Sequence, residues 1–578
     1  MNRSTGSWRF LMFFVALIIA NVSLPSLSAA PIYRWDPSGH DGAGGQGAVA
    51  ADPFHPGVIL SGGDIWGLSR STDYGREFLP VMVPVAGGSA FISNSDFKTA
   101  ALKFSKKTSN LAYAAVGDDG NSGGLLKSTD GGQTWAVASR VPQFSGQSSV
   151  NGAANHPRSV GNLIALDPSQ TNEYIYVGTY KDGIMRSTDQ GSTWSAGWTM
   201  PGLTLGTSAF IRGIAIDDNN PQIVYAAVYD QDGDGAFESI YKTTSARTTT
   251  SMTLVSPAPP FHQAEEMVVV NGVLYVAASG STSERGLYRY NGSSWTKIYT
   301  AETTTVWYSI DGYWNGSSAT IYAGSTDTAA SEGNSLYRSV IRIDNAQGTP
   351  SWHSLTWDPV KLHTNMKMGD ANGLVWWHSE GSVAAIIGGN TFVACQTLLD
   401  PSDPTHKRLY VCGRAGMWRT DDATVSNGSC TWYACVRHNN STVDWDVQAD
   451  PNNGDRVYTI DMDWCFLYST DGFNTCHTKT TGLSGTKEYC IGIDSTTNPS
   501  GVSPVYLGRD TQLFYNPNPA TSSWVSTGLN PPGEVQGVGV KYVGGQTVVL
   551  AAVRGSGIWR GIKGSGNTWN WGGAPIYT

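Results

Sequence analysis

The chain has 578 residues, a net charge of −9 and 14% charged residues, against a usual share of roughly 25%. No basic patch is present, which excludes an ordinary nucleic-acid partner. The 68 Gly argue for many tight turns, while 21 Trp and 26 Tyr demand burial and exclude a disordered chain.

The first element is a targeting signal. Residues 1–30 combine Arg3 and Arg9, an apolar run from Phe10 to Ala20, and small residues in Ser26-Leu27-Ser28-Ala29-Ala30. That is the pattern of a secretory signal peptide, and the run is shorter than the roughly 20 residues of a membrane span. The mature chain is expected to be secreted, extracellular, free of membrane segments and monomeric.

A repeat follows. Residues 162–194 show it cleanly, with Asn162-Leu163-Ile164-Ala165-Leu166-Asp167-Pro168, then Tyr174-Ile175-Tyr176-Val177-Gly178, then Gly183-Ile184-Met185-Arg186. Middle strands recur near Ile59, Ala114, Tyr176, Tyr225, Tyr275, Tyr322, Tyr410, Tyr458, Tyr506 and Leu550. Ten short-strand units at roughly 45–60 residues, with almost no helix-period runs, predict an all-β chain of about ten four-stranded β-propeller blades. One large ring and two smaller rings are both compatible with ten units. Residues 353–393 lack a clear copy and read as a long loop or linker. They divide N-terminal repeats over 31–352 from C-terminal repeats over 394–578.

A short phrase, S-x-D-x-G-x-T-W, ends the third strand of several units. It is complete at Ser128–Trp135 and Ser187–Trp194, and partial at Ser71–Gly75 and Ser469–Cys476. Ser and Asp side chains bond nearby N–H groups to close a turn, Gly supplies positive φ, and Trp buries a large ring. The phrase resembles the Asp-box of sialidases, sortilin-type receptors and two-propeller xyloglucanases.

The first unit carries Gly62-Gly63-Asp64-Ile65-Trp66-Gly67-Leu68-Ser69-Arg70. It resembles the D-I-G-G-x-Y-R motif of two-propeller xyloglucanases at Asp64, Ile65, Gly67 and Arg70, with Trp66 in place of a Gly and Ser69 in place of the aromatic. The resemblance implies that Asp64 is a catalytic carboxylate. Gly369-Asp370-Ala371-Asn372-Gly373 resembles the second motif of that family, G-D-x-x-G, which makes Asp370 the partner acid. Glycosidases place two carboxyl groups across the scissile bond, and well-separated ones invert the anomeric centre. Trp66, Trp307, Trp314, Trp376 and Trp377 are candidate sugar platforms, because flat rings bury the apolar faces of sugars; core packing is the alternative role for each. A third acidic region, Asp444, Asp446, Asp461 and Asp463 with Trp445 and Trp464, rivals Asp370.

Asp230, Asp232, Asp234 and Glu238 alternate on one loop in the manner of a structural Ca²⁺ site, although position twelve of an EF-hand is Tyr241 here. No cofactor is required otherwise. Seven Cys all follow residue 390, and in a secreted chain they predict disulfides. The combined expectation is a secreted glycoside hydrolase acting on a β-glucan such as xyloglucan. The alternatives are a non-catalytic propeller that binds carbohydrate or protein, as sortilin's ectodomain does, and a polysaccharide lyase. A sialidase ranks last, since Phe210-Ile211-Arg212 is a poor match to the F-R-I-P phrase.

Overall fold

The computed structural model describes residues 46–63, 67–81, 99–117, 123–142, 144, 162–206, 209–230, 239–300, 305–327, 340–355, 366–368, 394–413, 416–425, 430–435, 444–461, 465–472, 476–485, 487–496, 498 and 501–578. All lie within the unit Ser38–Thr578. They form strands and turns only, and no helix among them is long and apolar enough to cross a membrane.

Each middle strand of the repeat is the second strand of an antiparallel meander. Blade 1 runs through Gln46–Ala51, Ile59–Gly63, Leu68–Ser71 and Leu79–Val81. First strands of the following blades are Thr99–Phe104, Ile164–Asp167, Ala209–Ile216, Gln263–Val270, Thr305–Trp314, Ala394–Leu399, Asp444–Asp450, Glu488–Ile493 and Val535–Val543. Blade 3 shows three strands, and blades 4 and 5 touch through the pair Tyr229–Gln263. Met366–Met368 adds a parallel fifth strand outside Trp432–Ala434 of blade 7.

The first strands settle the ring count. Those of blades 1 to 7 pack side by side in order, and that of blade 7 packs back on blade 1. Seven blades therefore close a ring. Val49, Ala51 and Ile59 of blade 1 share one core with Tyr410, Cys412 and Met417 of blade 7. Blades 8, 9 and 10 pack in sequence as a separate arc. The ring thus ends after blade 7, near residue 434, and residues 394–434 belong to the first ring rather than to the C-terminal set. Among the described residues, seven blades close one ring and three further blades follow it in sequence.

Second strands such as Ala112–Val116 are buried on both faces because a blade lies on each side. Side chains staple blade to blade along a fixed register. Arg70 Nε donates to Gly131 O at 2.7 Å, Arg186 Nη1 to Ala246 O at 2.6 Å, Arg289 Nη1 to Ala346 O at 2.8 Å and Arg342 Nη1 to Ala423 O at 2.9 Å. Arg419 Nη1 of blade 7 donates to Tyr74 O of blade 1 at 2.6 Å and so completes the circle. In each case a third-strand cation reaches the carbonyl three residues after the Ser or Thr position that opens the next blade's outer turn. Tyr468 and Tyr515 hold the cation position in blades 8 and 9.

The S-x-D phrase performs as its chemistry requires. Ser128 Oγ donates to Asp130 Oδ1 at 2.8 Å and accepts from Gly132 N at 2.8 Å, while Asp130 accepts from Thr134 N at 2.9 Å. Gly132 has φ 85°, and a Cβ there would meet Leu60 Cδ2 of blade 1 at 2.5 Å. Trp135 is buried and donates to Gly132 O at 3.1 Å. Blade 7 builds the same turn from Thr420 and Asp422, with Asp422 accepting from Thr431 N at 3.1 Å across an insertion that hides it in the sequence.

Cys430 and Cys490 are buried free thiols. Cys430 lies 2.9 Å from Thr420 Oγ1, and Cys490 donates to Val535 O at 3.5 Å. For these two the disulfide expectation is corrected: Cys490 packs as a small group in the core between blades 9 and 10, and Cys430 donates to Asp422 in the blade 7 turn.

Candidate functional site

Meander geometry sorts the turns of each blade onto two ends. Turns after the first and third strands share the end that holds the S-x-D phrases; Tyr74 N donates to Gly57 O at 3.0 Å there. Hairpins after the second strands share the opposite end. Gly63 and Gly67 close the blade 1 hairpin at that opposite end, with Gly63 N donating to Gly67 O at 3.0 Å. Asp64 and Trp66 fall between them and lie outside the described residues. So do Asp370, Trp376, Trp377, Asp232, Asp234 and Glu238, while Asp230 is described only as the last backbone position of Val224–Asp230. The strand Met366–Met368, which precedes Asp370, runs along the outer edge of blade 7.

Two predicted platforms, Trp307 and Trp314, are described. Trp307 is 1% exposed and meets Tyr299 edge-on at 5.3 Å, so its faces belong to the core between blades 5 and 6. That corrects its assignment as a sugar platform. Trp314 is half-buried at the far end of Thr305–Trp314, on the S-x-D end and away from the Gly63–Gly67 hairpin.

Part of the third acidic region resolves into structure. Asp446 accepts Ile491 N of the next blade at 2.8 Å and Gln448 Nε2 at 3.0 Å. It is a staple. The backbones of Asp444 and Asp461 pair directly, at the register where Gln46 pairs with Gly63 in blade 1. Asp461 also pairs with Cys465, closing a hairpin of the same length as Gly63–Gly67. Asp463 and Trp464 belong to that hairpin and lie outside the described residues.

Sequence reasoning missed a bulge that recurs, among the described residues, in the first strand of every blade but blade 3. A bulge re-aims one side chain, and each lies near the start of its first strand, by the opposite end. In blades 4 and 5 the bulged residues are Arg212 and Glu265, a buried ion pair that Ser279 also joins. In blade 8 the residue is Trp445, 56% exposed. In blade 9 it is Tyr489, whose hydroxyl donates to Glu534 at 2.7 Å; burial and that bond push the phenol up to about 12. No local pattern in the sequence marks these positions, because the bulge depends on pairing.

The ring axis holds a cavity of about 160 Å³, lined among others by Lys103, Asn162, Asp218, Glu266, Asp311 and Gln396. Glu266 accepts Ile310 N at 3.0 Å, Asp311 accepts Leu399 N at 2.8 Å, and Gln396 accepts Val49 N at 2.7 Å. Each bond joins one first strand to the next. Burial pushes Glu266 up to about 8 and also raises Asp311, while burial lowers Lys103. These groups hold the ring together, and their carboxylates are committed to backbone N–H groups.

No family model matches the chain. The xyloglucanase Xgh74A of Acetivibrio thermocellus is 24% identical over 327 residues, covering 50% of this chain and 35% of that protein. A Paenibacillus xyloglucanase is 30% identical over 198 residues, covering 31% of this chain and 17% of its own length. The chain therefore matches about a third or less of these curated relatives. Among solved structures, an ancestral GH74 enzyme superposes with TM-score 0.61 at 14% identity, covering 93% of this chain and 78% of its own. A Niastella koreensis GH74 enzyme gives 0.59 at 19%, covering 93% and 80%. The fold is that of GH74 propellers. A Xanthomonas campestris GH74 xyloglucanase agrees, with TM-score 0.57 at 14% identity over 94% of this chain and 88% of its own. Such likeness fixes architecture, and activity has to be argued from residues.

Proposed function

We propose that this chain is a secreted glycoside hydrolase that cleaves a β-glucan such as xyloglucan with two carboxyl groups. The observation that carries the reading is the similarity to xyloglucanases over half the chain, together with Asp64 in the motif hairpin of blade 1. Asp463 is the better partner acid than Asp370. It belongs to the blade 8 hairpin that repeats the register of the Gly63–Gly67 hairpin, whereas Asp370 follows a strand on the outer edge of blade 7. One acid protonates the leaving oxygen and the other activates water from the opposite side. A separation of roughly 6.5–9.5 Å between them gives inversion. Exposed Trp445, aimed by its bulge, supplies a flat apolar surface in the same blade as Asp463.

The test is release of reducing ends from xyloglucan by the wild-type chain and by Asp64→Asn, Asp463→Asn and Asp370→Asn. The reading expects the first two substitutions to abolish turnover and the third to leave it. Loss in Asp370→Asn with activity retained in Asp463→Asn reverses the partner assignment.

A further inference from the structure

The hairpin that carries Asp64 has a counterpart of the same length in blade 3. Leu60 pairs with Arg70 as Tyr176 pairs with Arg186, and Gly62 pairs with Leu68 as Gly178 pairs with Ile184. Gly63 N donates to Gly67 O at 3.0 Å, and Thr179 N donates to Gly183 O at 2.9 Å. Both loops close on a glycine in the left-handed region, with φ 88° at Gly67 and 67° at Gly183. Three residues separate the closing pair in each loop, so Tyr180 holds in blade 3 the sequence place that Asp64 holds in blade 1. The meander puts both hairpins at the end opposite the S-x-D turns.

Blade 3 braces its loop. Thr179 Oγ1 donates to Gly183 O at 2.8 Å and accepts from Asp182 N at 2.9 Å. Gly206, on the chain leading into blade 4, lies so close that a Cβ there would meet Lys181 Cβ at 2.6 Å. Tyr180 is half-buried, and its ring lies 6.3 Å from that of Phe210, tilted by 31°. Phe210 stands at the start of the first strand of blade 4 and is buried. The Tyr180 hydroxyl makes no hydrogen bond among the described residues, so packing alone holds the ring. The core tyrosines Tyr113, Tyr176 and Tyr275 are buried completely, and Tyr180 departs from them by keeping ring surface in solvent. An exposed ring that is already ordered takes a ligand at little further cost in side-chain entropy.

We propose that Tyr180 is a distal sugar-binding platform: a glucan chain cleaved at blade 1 runs across the hairpin end of the ring to blade 3, where one sugar stacks its apolar face on the Tyr180 ring. The inference rests on the glycoside hydrolase reading above and names the substrate more closely. Packed sheets stand about 10 Å apart, so blade 3 lies about 20 Å from blade 1. That span takes several sugar units. The substrate is therefore a polymer, and a short oligosaccharide held at blade 1 does not reach the platform. Tyr180 touches sugar far from the reacting bond, so it adds affinity for long chains and has no part in proton transfer.

Initial rates on xyloglucan polymer and on the shortest xyloglucan oligosaccharide that the wild-type chain cleaves test this, with Tyr180→Ala and Tyr180→Phe. The expected result in Tyr180→Ala is a fall of about tenfold in the polymer-to-oligosaccharide ratio of kcat/KM, carried by KM for the polymer. Tyr180→Phe keeps the ring and should keep the ratio. An unchanged ratio in Tyr180→Ala overturns the platform, and so does an equal loss on both substrates, which is what a merely structural ring would give. A Tyr180→Phe chain that behaves as Tyr180→Ala overturns stacking as the contact. Gel electrophoresis in the presence of xyloglucan reads binding without turnover and separates this inference from the hydrolase reading. A wild-type chain that cleaves nothing, yet is retarded by xyloglucan more than Tyr180→Ala is, keeps the platform and sinks the hydrolase reading. Equal migration of the two chains overturns the platform whatever the activity.

Discussion

Glu266→Gln should stabilise the protein at alkaline pH and leave it unchanged near pH 4. Glu266 is 3% exposed on the ring axis, accepts Ile310 N at 3.0 Å and faces Lys103 and Asp311. Burial holds its proton up to about pH 8, against 4.5 in the unfolded chain. Below about pH 4.5 both states are protonated and the group is neutral to stability. Between 4.5 and 8 the unfolded chain releases the proton and the native one keeps it, so native stability falls as pH rises, and it levels off above 8. At about 1.4 kcal/mol per pH unit, the interval sets an upper limit near ~5 kcal/mol, and water entry to the cavity makes about 2–3 kcal/mol the working expectation. Gln keeps the oxygen that accepts from Ile310 and has no proton to lose, so it resembles the acid form. Thermal melts of both proteins at a series of pH values read the effect, on the order of 1–2 °C per kcal/mol for a chain of this size. The difference should rise from near zero at pH 4 to several degrees at pH 9. A difference that is constant with pH, or a variant less stable at pH 9, would refute the reasoning.

Other positions yield simpler tests. Arg419→Met removes the charged donor to Tyr74 O at the ring-closing joint and should cost about 1.5–3 kcal/mol; an unchanged melt would contradict closure by blade 7. Asp130→Ala removes the acceptor for Thr134 N and for the hydroxyls of Ser128 and Thr134, and should cost about 1 kcal/mol at neutral pH, given its exposure. Its carboxyl is pulled below 3.8 because those hydrogen bonds outweigh burial, so the wild-type advantage should persist at neutral pH and fade as pH drops below 3.8. Cys430 and Cys490 should resist a thiol reagent in the native chain and react on denaturation without reductant; a count that omits either would restore a disulfide at that residue.

The repeat was legible because its strands must be buried on two faces, which forces runs such as Tyr174-Ile175-Tyr176-Val177-Gly178. All ten middle strands stand where the pattern puts them. Ring closure was not legible from repeat count, since blade 7 has the same local signals as its neighbours. A signal was nevertheless present in the residue before the S-x-D position. It is a cation in Arg70, Lys127, Arg186, Lys242, Arg289, Arg342 and Arg419, a tyrosine in Tyr468 and Tyr515, and a cation again in Arg560. Only the staple to the next blade gives that residue meaning. Trp307 misled because an aromatic pair on a strand serves core and surface equally well until its facing is known. The bulges at Arg212, Glu265 and Trp445 depend on pairing with a second strand, which composition does not encode. The shared hairpin of the Asp64 and Asp463 loops needed register, which sets Trp66 against Trp464 and Asp463 one position after Asp64, because the flanking residues differ.

Initial-rate hydrolysis of xyloglucan by Asp64→Asn beside the wild-type chain tests the central claim most directly. Removing an essential general acid or base typically costs about 10²–10⁴-fold, so the account predicts active wild-type protein and a loss of at least two decades with an unchanged melting temperature. Substitution at a residue that merely caps a hairpin should instead lower stability by about 1 kcal/mol and leave turnover of the folded protein near wild type. That second pattern, or no hydrolysis of any β-glucan by the wild-type chain, would contradict the account.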